Sequence, residues 1–234
     1  IDVSSSMLAE DLKPNRLEAA KDVAAEFING RPNDNIGITL FAGETFTQCP
    51  LTVDHAVLLD MIHNIKCGLI EDGTAVGMGI ANAVTRLKDS KAKSKVIILL
   101  TDGTNNKGDI SPLTAAEIAK SFGIRVYTIG VGTNGMAPYP YPVGNTVQYV
   151  NMPVEIDEKT LTQIAGTTDG NYFRATSNSK LKEVYEEIDK LEKTKLNVKE
   201  YSKRDEEYQW FALAAFLCVL LEVLLRNSIL KKIP

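Results

Sequence analysis

Histidine and cysteine are scarce in this 234-residue sequence, and basic residues do not outnumber acidic ones. His55 and His63 are the only histidines, and the cysteines are Cys49, Cys67 and Cys218. Their spacings form neither a zinc-ligand pattern nor a disulfide framework, and three cysteines cannot all pair with one another. They read as small buried apolar residues, which leaves the compartment open. With 26 basic and 30 acidic side chains, the net charge of -4 argues against a general nucleic-acid binder, since phosphate contacts need clustered Lys and Arg. No Ser-His-Asp, Cys-His or phosphate-loop pattern is present, nor an internal repeat or low-complexity tract. A signal peptide is absent too. Ile1 is not a natural start residue, so the chain is expected to be a fragment without its N-terminal part.

What is present is the composition of an ordinary folded protein, 44% hydrophobic and 24% charged. The length suits one α/β domain with something appended, or two small domains. Strand-like and helix-like segments alternate throughout. Ile36 to Phe41, Lys95 to Leu100 (KVIILL) and Ile124 to Val131 (IRVYTIGV) are short apolar runs rich in β-branched residues. Such runs suit strands of a parallel sheet covered on both faces. Helical patterns fill the intervals, over Leu17 to Ile28, Val53 to Ile65, Ala75 to Leu87 and Pro112 to Phe122. The expected fold class is α/β: a doubly wound, mostly parallel sheet with helices on both faces, joined by right-handed crossovers.

Thr133 to Pro153 breaks the alternation. Gly135, Pro138, Pro140, Pro142, Gly144 and Pro153 punctuate it, which predicts an exposed excursion or loose hairpin. Tyr139 and Tyr141, set between the prolines, are candidates for a partner-binding tip. A helix from Glu158 to Ala165 with Asp157 as its N-cap is expected next, then a short strand from Asn171 to Ala175. Leu181, Val184, Tyr185, Ile188 and Leu191 recur at helical spacing and give an amphipathic closing helix.

From Tyr208 the character changes. YQWFALAAFLCVLLEVLL carries a single charge, Glu222, and Arg226, Lys231 and Lys232 follow. About 18 apolar residues is the lower end of a bilayer-spanning helix, and Tyr208 and Trp210 suit a membrane interface. The expected organisation is a domain over 1–195, a charged linker over 196–207 and a hydrophobic transmembrane helix over 208–230. Basic residues flank that helix on both sides and leave its orientation open. Glu222 is costly in mid-span and marks a partner or a function.

Two carboxylates and three hydroxyls converge in this scheme. IDVSSSM sets Asp2, Ser4 and Ser6 at alternate positions where a strand gives way to a loop. KVIILLTDGTNN ends a second strand at Asp102, and EDGTAVG puts Thr74 immediately before a helix. Ligands of open α/β sheets gather outside the carboxyl ends of the strands, where all three loops meet. Oxygen donors of this kind suit a hard cation. Mg²⁺ takes near-octahedral oxygen coordination, keeps several waters and needs only one or two carboxylates. Mn²⁺ and Ca²⁺ are the alternatives, because oxygen sites separate these ions mainly by cavity size and rigidity. Neither histidine falls near the site in this reading, which disfavours zinc and copper. The two carboxylates roughly neutralise the ion and leave a position open for a carboxylate from a partner. Nearby, Gly73 and Gly103 read as turn formers, Glu71 and Asp72 as a solvated acidic loop, and Asn105 and Asn106 as rim.

Asp2-x-Ser4-x-Ser6, then Thr74, then Asp102 in a Thr-Asp-Gly turn resembles the metal-ion-dependent adhesion site of von Willebrand factor A domains, with all five positions present. The resemblance implies that the serines and the threonine reach the metal directly or through water and that the aspartates complete the sphere. It also implies a protein partner that offers an acidic side chain. EDGTAVGMGIANAVTRLKDS, IDEKTLTQIAGTTDGNYFRATSNSKLKEVYEEIDKLEK and the C-terminal apolar segment resemble the bacterial Bat proteins, membrane proteins of the aerotolerance type. That second resemblance covers nearly the whole chain. It implies a protein of the bacterial inner (cytoplasmic) membrane, working with a MoxR-type AAA+ ATPase and other Bat-type proteins in a chaperone-like or stress-related complex. The sequence departs from the family at one point: Asp2 should end the central first strand, yet only Ile1 precedes it. Most of that strand is therefore expected to be missing, with a gap in the sheet or another segment in its place.

Two other classes compete with a metal-dependent binding module. One is a membrane scaffold whose metal site is non-functional. The other is an Asp-nucleophile phosphotransferase of the haloacid dehalogenase type, with Asp2 as nucleophile and Thr101 after the later strand. Such enzymes need a second acid two positions beyond the nucleophile to protonate the leaving group, and Ser4 stands there. No enzymatic activity is expected.

Overall fold

A computed structural model describes residues 1–144 and 146–201, together with Leu213, Ala215, Val219, Glu222, Val223 and Leu225. Residues Ile1–Leu191 form one compact unit and Glu192–Pro234 a second. The apolar segment 208–230, expected to span a membrane, lies almost wholly outside the described residues. Among those that are described, no helix is long and apolar enough to cross a membrane.

The first unit alternates as its periodicity predicts. In chain order it contains α1 (Arg16–Asn29), β1 (Ile36–Phe41), β2 (Thr45–Thr52), α2 (His55–His63), α3 (Val76–Leu87), β3 (Lys95–Thr101) and α4 (Pro112–Ser121). Then follow β4 (Ile124–Val131), β5 (Met136–Val143), β6 (Thr146–Pro153), α5 (Glu158–Thr167), β7 (Tyr172–Ala175) and the start of α6 (Asn178–Tyr201), which continues past Leu191 into the second unit. Helices α1, α2, α4, α5 and α6 start on side-chain caps: Asn15 accepts from the Glu18 amide, Asp54 from Val57, Ser111 from Thr114, Asp157 from Thr160 and Ser177 from Lys180. Pro112 at the first turn of α4 adds a preset φ.

β3, β4 and β7 pair in parallel. Alternate side chains serve opposite layers, which is why these runs are apolar throughout. Leu100, Tyr127, Ile129 and Val131 join the core built by Leu17, Ala20 and Val23 of α1, Leu58 and Ile62 of α2, and Leu181, Val184 and Ile188 of α6. Ile97, Leu99, Ile124 and Val126 face the other way, into the core formed with Val76, Ile80 and Val84 of α3, Ala115 and Ala119 of α4, and Leu161 and Ile164 of α5. Helices thus cover both faces.

The sheet is not continuous. β1 pairs antiparallel with β2 in a separate ribbon, and β5 with β6 in another. Residues Ile1 to Val3 bridge the β1 and β3 ribbons: Asp2 N–H donates to Leu100 O at 3.0 Å, and Val3 N–H to Phe41 O at 2.9 Å. The Asp2–Phe41 bridge is parallel. Only a short bridging segment therefore stands at the central position, where most of a strand was expected to be missing. β2, absent from the sequence-based reading, is an edge strand that tolerates Pro50 in the irregular stretch between the Ile38–Cys49 and Ile36–Thr52 pairs.

Candidate metal centre

The end of the bridging segment, the end of β3 and the loop before α3 come together at the carboxyl edge of the sheet. Asp2 is held on both oxygens: Oδ1 accepts the Ser4 N–H at 2.9 Å and Oδ2 the Thr101 hydroxyl at 2.6 Å. The hydroxyls of Ser4 and Ser6 are 3.0 Å apart, and Ser6 Oγ donates to Asp102 Oδ1 at 2.7 Å. Asp2, Ser4, Ser6 and Asp102 thus share one hydrogen-bonded chain. Thr74 sits against the turn after Asp102, since a Cβ on Gly103 would lie 3.3 Å from its Oγ1. All five residues that the sequence singles out are brought to one place.

The framing loops explain how. The 71–75 segment is tied to the end of β1, with Gly43 N–H donating to Glu71 O at 2.8 Å and Ala75 N–H to Ala42 O at 2.7 Å. Thr74 is gripped on both backbone sides: its N–H donates to Asn106 Oδ1 at 2.9 Å, and the Asn106 N–H returns to Thr74 O at 3.0 Å. Asp72 binds Ser5 through both the amide (2.9 Å) and the hydroxyl (2.6 Å), which fixes the residue between the two serines. Asp72 and Asn106 are therefore positioning residues, where the sequence alone suggested a solvated loop and a rim. Glu71 pairs with Lys107.

Arg16 went unrecognised in the sequence. Its Nη1 donates to Asp102 Oδ2 at 2.7 Å, while Nε and Nη2 grip both oxygens of Asp11, each at 2.7 Å. Asp11 Oδ2 also accepts the Thr133 N–H at 2.8 Å. The side chains of Arg16, Asp11 and Asp102 are almost fully buried. Gly132, at φ +142°, makes room for the guanidinium, since a Cβ there would lie 2.9 Å from Arg16 Nη2. A signal did exist: Arg16 falls in phase with Ala20, Val23 and Phe27 on the apolar stripe of α1, where a charge must find a partner.

The electrostatics are those of an under-neutralised cluster. One guanidinium faces the carboxylates of Asp11 and Asp102, and Asp2 lies close enough to Asp102 for the two to repel. Burial, followed by the negative charge of Asp102, pushes Asp2 up to about 7 despite its hydrogen bonds. Asp102 is also raised, by burial against the opposing pull of Arg16. Asp11 moves the other way: burial raises it, but hydrogen bonds from Arg16 and the Thr133 amide more than offset that. Cys67, whose Sγ donates to Ser4 O at 3.4 Å, is pushed up to about 12 by burial and then by Asp2 and Asp102. Cys49 and Cys67 are both free thiols. Among the described residues no group of three or more His, Cys, Asp and Glu side chains is placed to hold a metal, so any ion here relies on hydroxyl donors.

Comparison with known proteins places this geometry in context. The family model described as the von Willebrand factor type A domain matches residues 1–187. A crystal structure of BatB from Bacteroides thetaiotaomicron is 34% identical, with a TM-score of 0.71, and the match covers 82% of this chain and 96% of that one. An aerotolerance-related membrane protein from Bacteroides fragilis is likewise 34% identical, with a TM-score of 0.69, covering 81% of this chain and 96% of that one. Proximal thread matrix protein 1 from the mussel byssus, described with a zinc-occupied MIDAS motif, is 26% identical at a TM-score of 0.62, over 81% of this chain and 43% of that one. Among sequence relatives, a UPF0353 protein from Mycolicibacterium paratuberculosis is 33% identical over 201 residues, which is 79% of this chain and 56% of that protein. The chain spans 69% of the length of one relative and 56% of another, so it corresponds to part of such proteins.

Proposed function

This chain belongs to the von Willebrand factor type A domain family, and on that premise we propose that it is a divalent-cation-dependent protein-binding module of a membrane-anchored, Bat-type protein. Asp2, Ser4, Ser6, Thr74 and Asp102 would hold the ion, Mg²⁺ first and Mn²⁺ or Ca²⁺ as alternatives. The observation that carries the reading is the buried pair Asp2 and Asp102, joined through Ser4 and Ser6 and both raised in pKa, first of all by burial. Two carboxylates forced together in low dielectric, beside three hydroxyls, form a site that a hard cation stabilises and that proton uptake otherwise relieves. The donor set thus fits the ion. A bound ion would supply Lewis acidity toward a carboxylate offered from outside, and the protein residues would set its position.

The partner in this reading is a protein with an exposed acidic side chain. A MoxR-type AAA+ ATPase and other Bat-type proteins are the candidates that the family resemblance suggests, in a chaperone-like or stress-related setting. Residues 1–195 would form the binding domain and 196–207 a charged linker. The segment 208–230 would anchor the protein in the bacterial inner membrane, as its composition and the membrane description of the Bacteroides fragilis neighbour support. Catalysis forms no part of the proposal, because Ser4 stands where a phosphotransferase would need its acid.

Calorimetric titration of Mg²⁺ into the wild-type chain and into Thr74→Ala and Asp102→Ala variants tests the reading. Saturable binding in the wild type, weakened in the first variant and abolished in the second, is expected. A folded wild type that binds no divalent ion overturns it. A second reading, a scaffold with a non-functional site, draws support from Arg16, which already compensates one oxygen of Asp102. In that case Asp102→Ala leaves partner association intact.

A further inference from the structure

The β5–β6 hairpin presents an unusual surface. Residues 126–154 contain no Asp, Glu, Lys, Arg or His, although 24% of the chain is charged. That is ordinary for the buried strand β4, but every residue of β6 is exposed. Two-stranded ribbons are marginal in water, and exposed edges are normally blunted by charge.

The two edges of the ribbon are not equivalent. Pro138, Pro140 and Pro142 have no N–H to give, and Glu10 N–H reaches the Pro138 carbonyl from outside the ribbon at 2.8 Å. The backbone groups of these three residues therefore turn away from β6, and the outer edge of β5 offers no donor at any of them. Paired residues of an antiparallel ladder point their backbone groups inwards or outwards together. Asn151, Tyr149 and Val147, opposite those prolines, must then turn their N–H and C=O groups out along the free edge of β6. Among the described residues no backbone group bonds to that edge.

We propose that this edge pairs antiparallel with β6 of a second copy of the chain, about a two-fold axis at Tyr149. The three outward residues are self-complementary about that centre: Tyr149 meets Tyr149, and Val147 meets Asn151 twice. No charge on β6 opposes the approach of an identical strand. The product is a four-stranded sheet whose outer edges are the two proline-bearing β5 strands. Pairing therefore closes at two copies and does not propagate into fibres. A foreign strand would need neither the symmetry nor the blocked opposite edge.

Sedimentation velocity of the full chain in mild detergent, across a micromolar concentration series, tests this. Val147→Pro deletes an outward donor in each copy and leaves the ladder to β5 intact, as Pro142 does across from it. The wild type should dimerise, and the variant should raise the dissociation constant about tenfold or more through two lost hydrogen bonds and a ring at the interface. Amide exchange at Val147, Tyr149 and Asn151 should slow as protein concentration rises, a readout that needs no variant. A wild type that stays monomeric with concentration-independent exchange overturns the proposal and leaves a foreign strand as the occupant. A dimer unaffected by Val147→Pro also overturns it, and moves the contact elsewhere in the chain.

Discussion

Replacing Asp2 with Asn should stabilise the metal-free protein, and Mg²⁺ should narrow or reverse that advantage. The folded-state value of Asp2, about 7, lies well above its ordinary 3.8. The folded state therefore binds the proton more tightly than the unfolded state. The stability that this proton carries is fully present below pH ~4 and is lost as pH rises toward about 7. A shift of about three units corresponds to a ceiling of about 4 kcal/mol for the burden of the ionised carboxylate above that window. Asn keeps the shape and can still accept the Ser4 amide, but it carries no charge. In EDTA at pH 8, Asp2→Asn should thus be more stable than wild type by up to about 4 kcal/mol, and at pH 4 the gap should close. Saturating Mg²⁺ should narrow or reverse the gap, since an ion at a hundred times its dissociation constant adds about 2.7 kcal/mol to wild type alone. Urea melts at the two pH values, with EDTA and with Mg²⁺, give all four numbers. An Asp2→Asn variant that is less stable than wild type in EDTA at pH 8, or a gap indifferent to pH, would refute the argument.

Arg16→Ala strips the shared cation from Asp11 and Asp102 and should cost about 3–5 kcal/mol in a urea melt. Arg16→Lys should recover only part of it, because one ammonium cannot span three 2.7 Å bonds to two carboxylates. With its thiol near 12 against an ordinary 9, Cys67 should alkylate about a thousandfold more slowly than a free thiol in EDTA. Mg²⁺ should speed that reaction by cancelling the charges of Asp2 and Asp102, which peptide mass spectrometry would follow at this one cysteine. Gly77→Ala would place a Cβ 2.0 Å from Ile110 O, behind Thr74, and should cost ~1–3 kcal/mol or more. Gly166→Ala in α5 meets nothing within 4 Å and should be neutral or stabilise by ~0.5–1 kcal/mol. Thermal melts of the two variants side by side test the contrast.

Where a property rests on neighbours in sequence, it could be read from the sequence. KVIILL and IRVYTIGV announce buried parallel strands because a strand covered on both faces needs apolar residues at every position. Asp157 announces the start of α5 because a cap acts within four residues. The alternate placing of Asp2, Ser4 and Ser6 likewise marks a candidate ligand loop without any tertiary information. β2 escaped notice because TFTQCPLT is half-buried at most positions, so no clean alternation marks it. The prolines of β5 pointed to an exposed excursion or loose hairpin, and a hairpin forms with a regular ladder because they occupy only its outward-facing positions, where a missing N–H costs nothing.

The sequence alone settled the α/β alternation, the positions of most elements and the five candidate donors, because each depends on periodicity or on a motif a few residues long. Only the tertiary structure decided how those donors are charged and held. Asp102 meets Arg16 across 86 residues and Ser6 across 96, and Ser5 meets Asp72 across 67. Burial at the same point then sets the proton affinities of Asp2, Asp102 and Cys67. Partners that distant are chosen by how the strands and helices pack, and the energy of a charge depends on the dielectric around it, which exists only once the chain has folded.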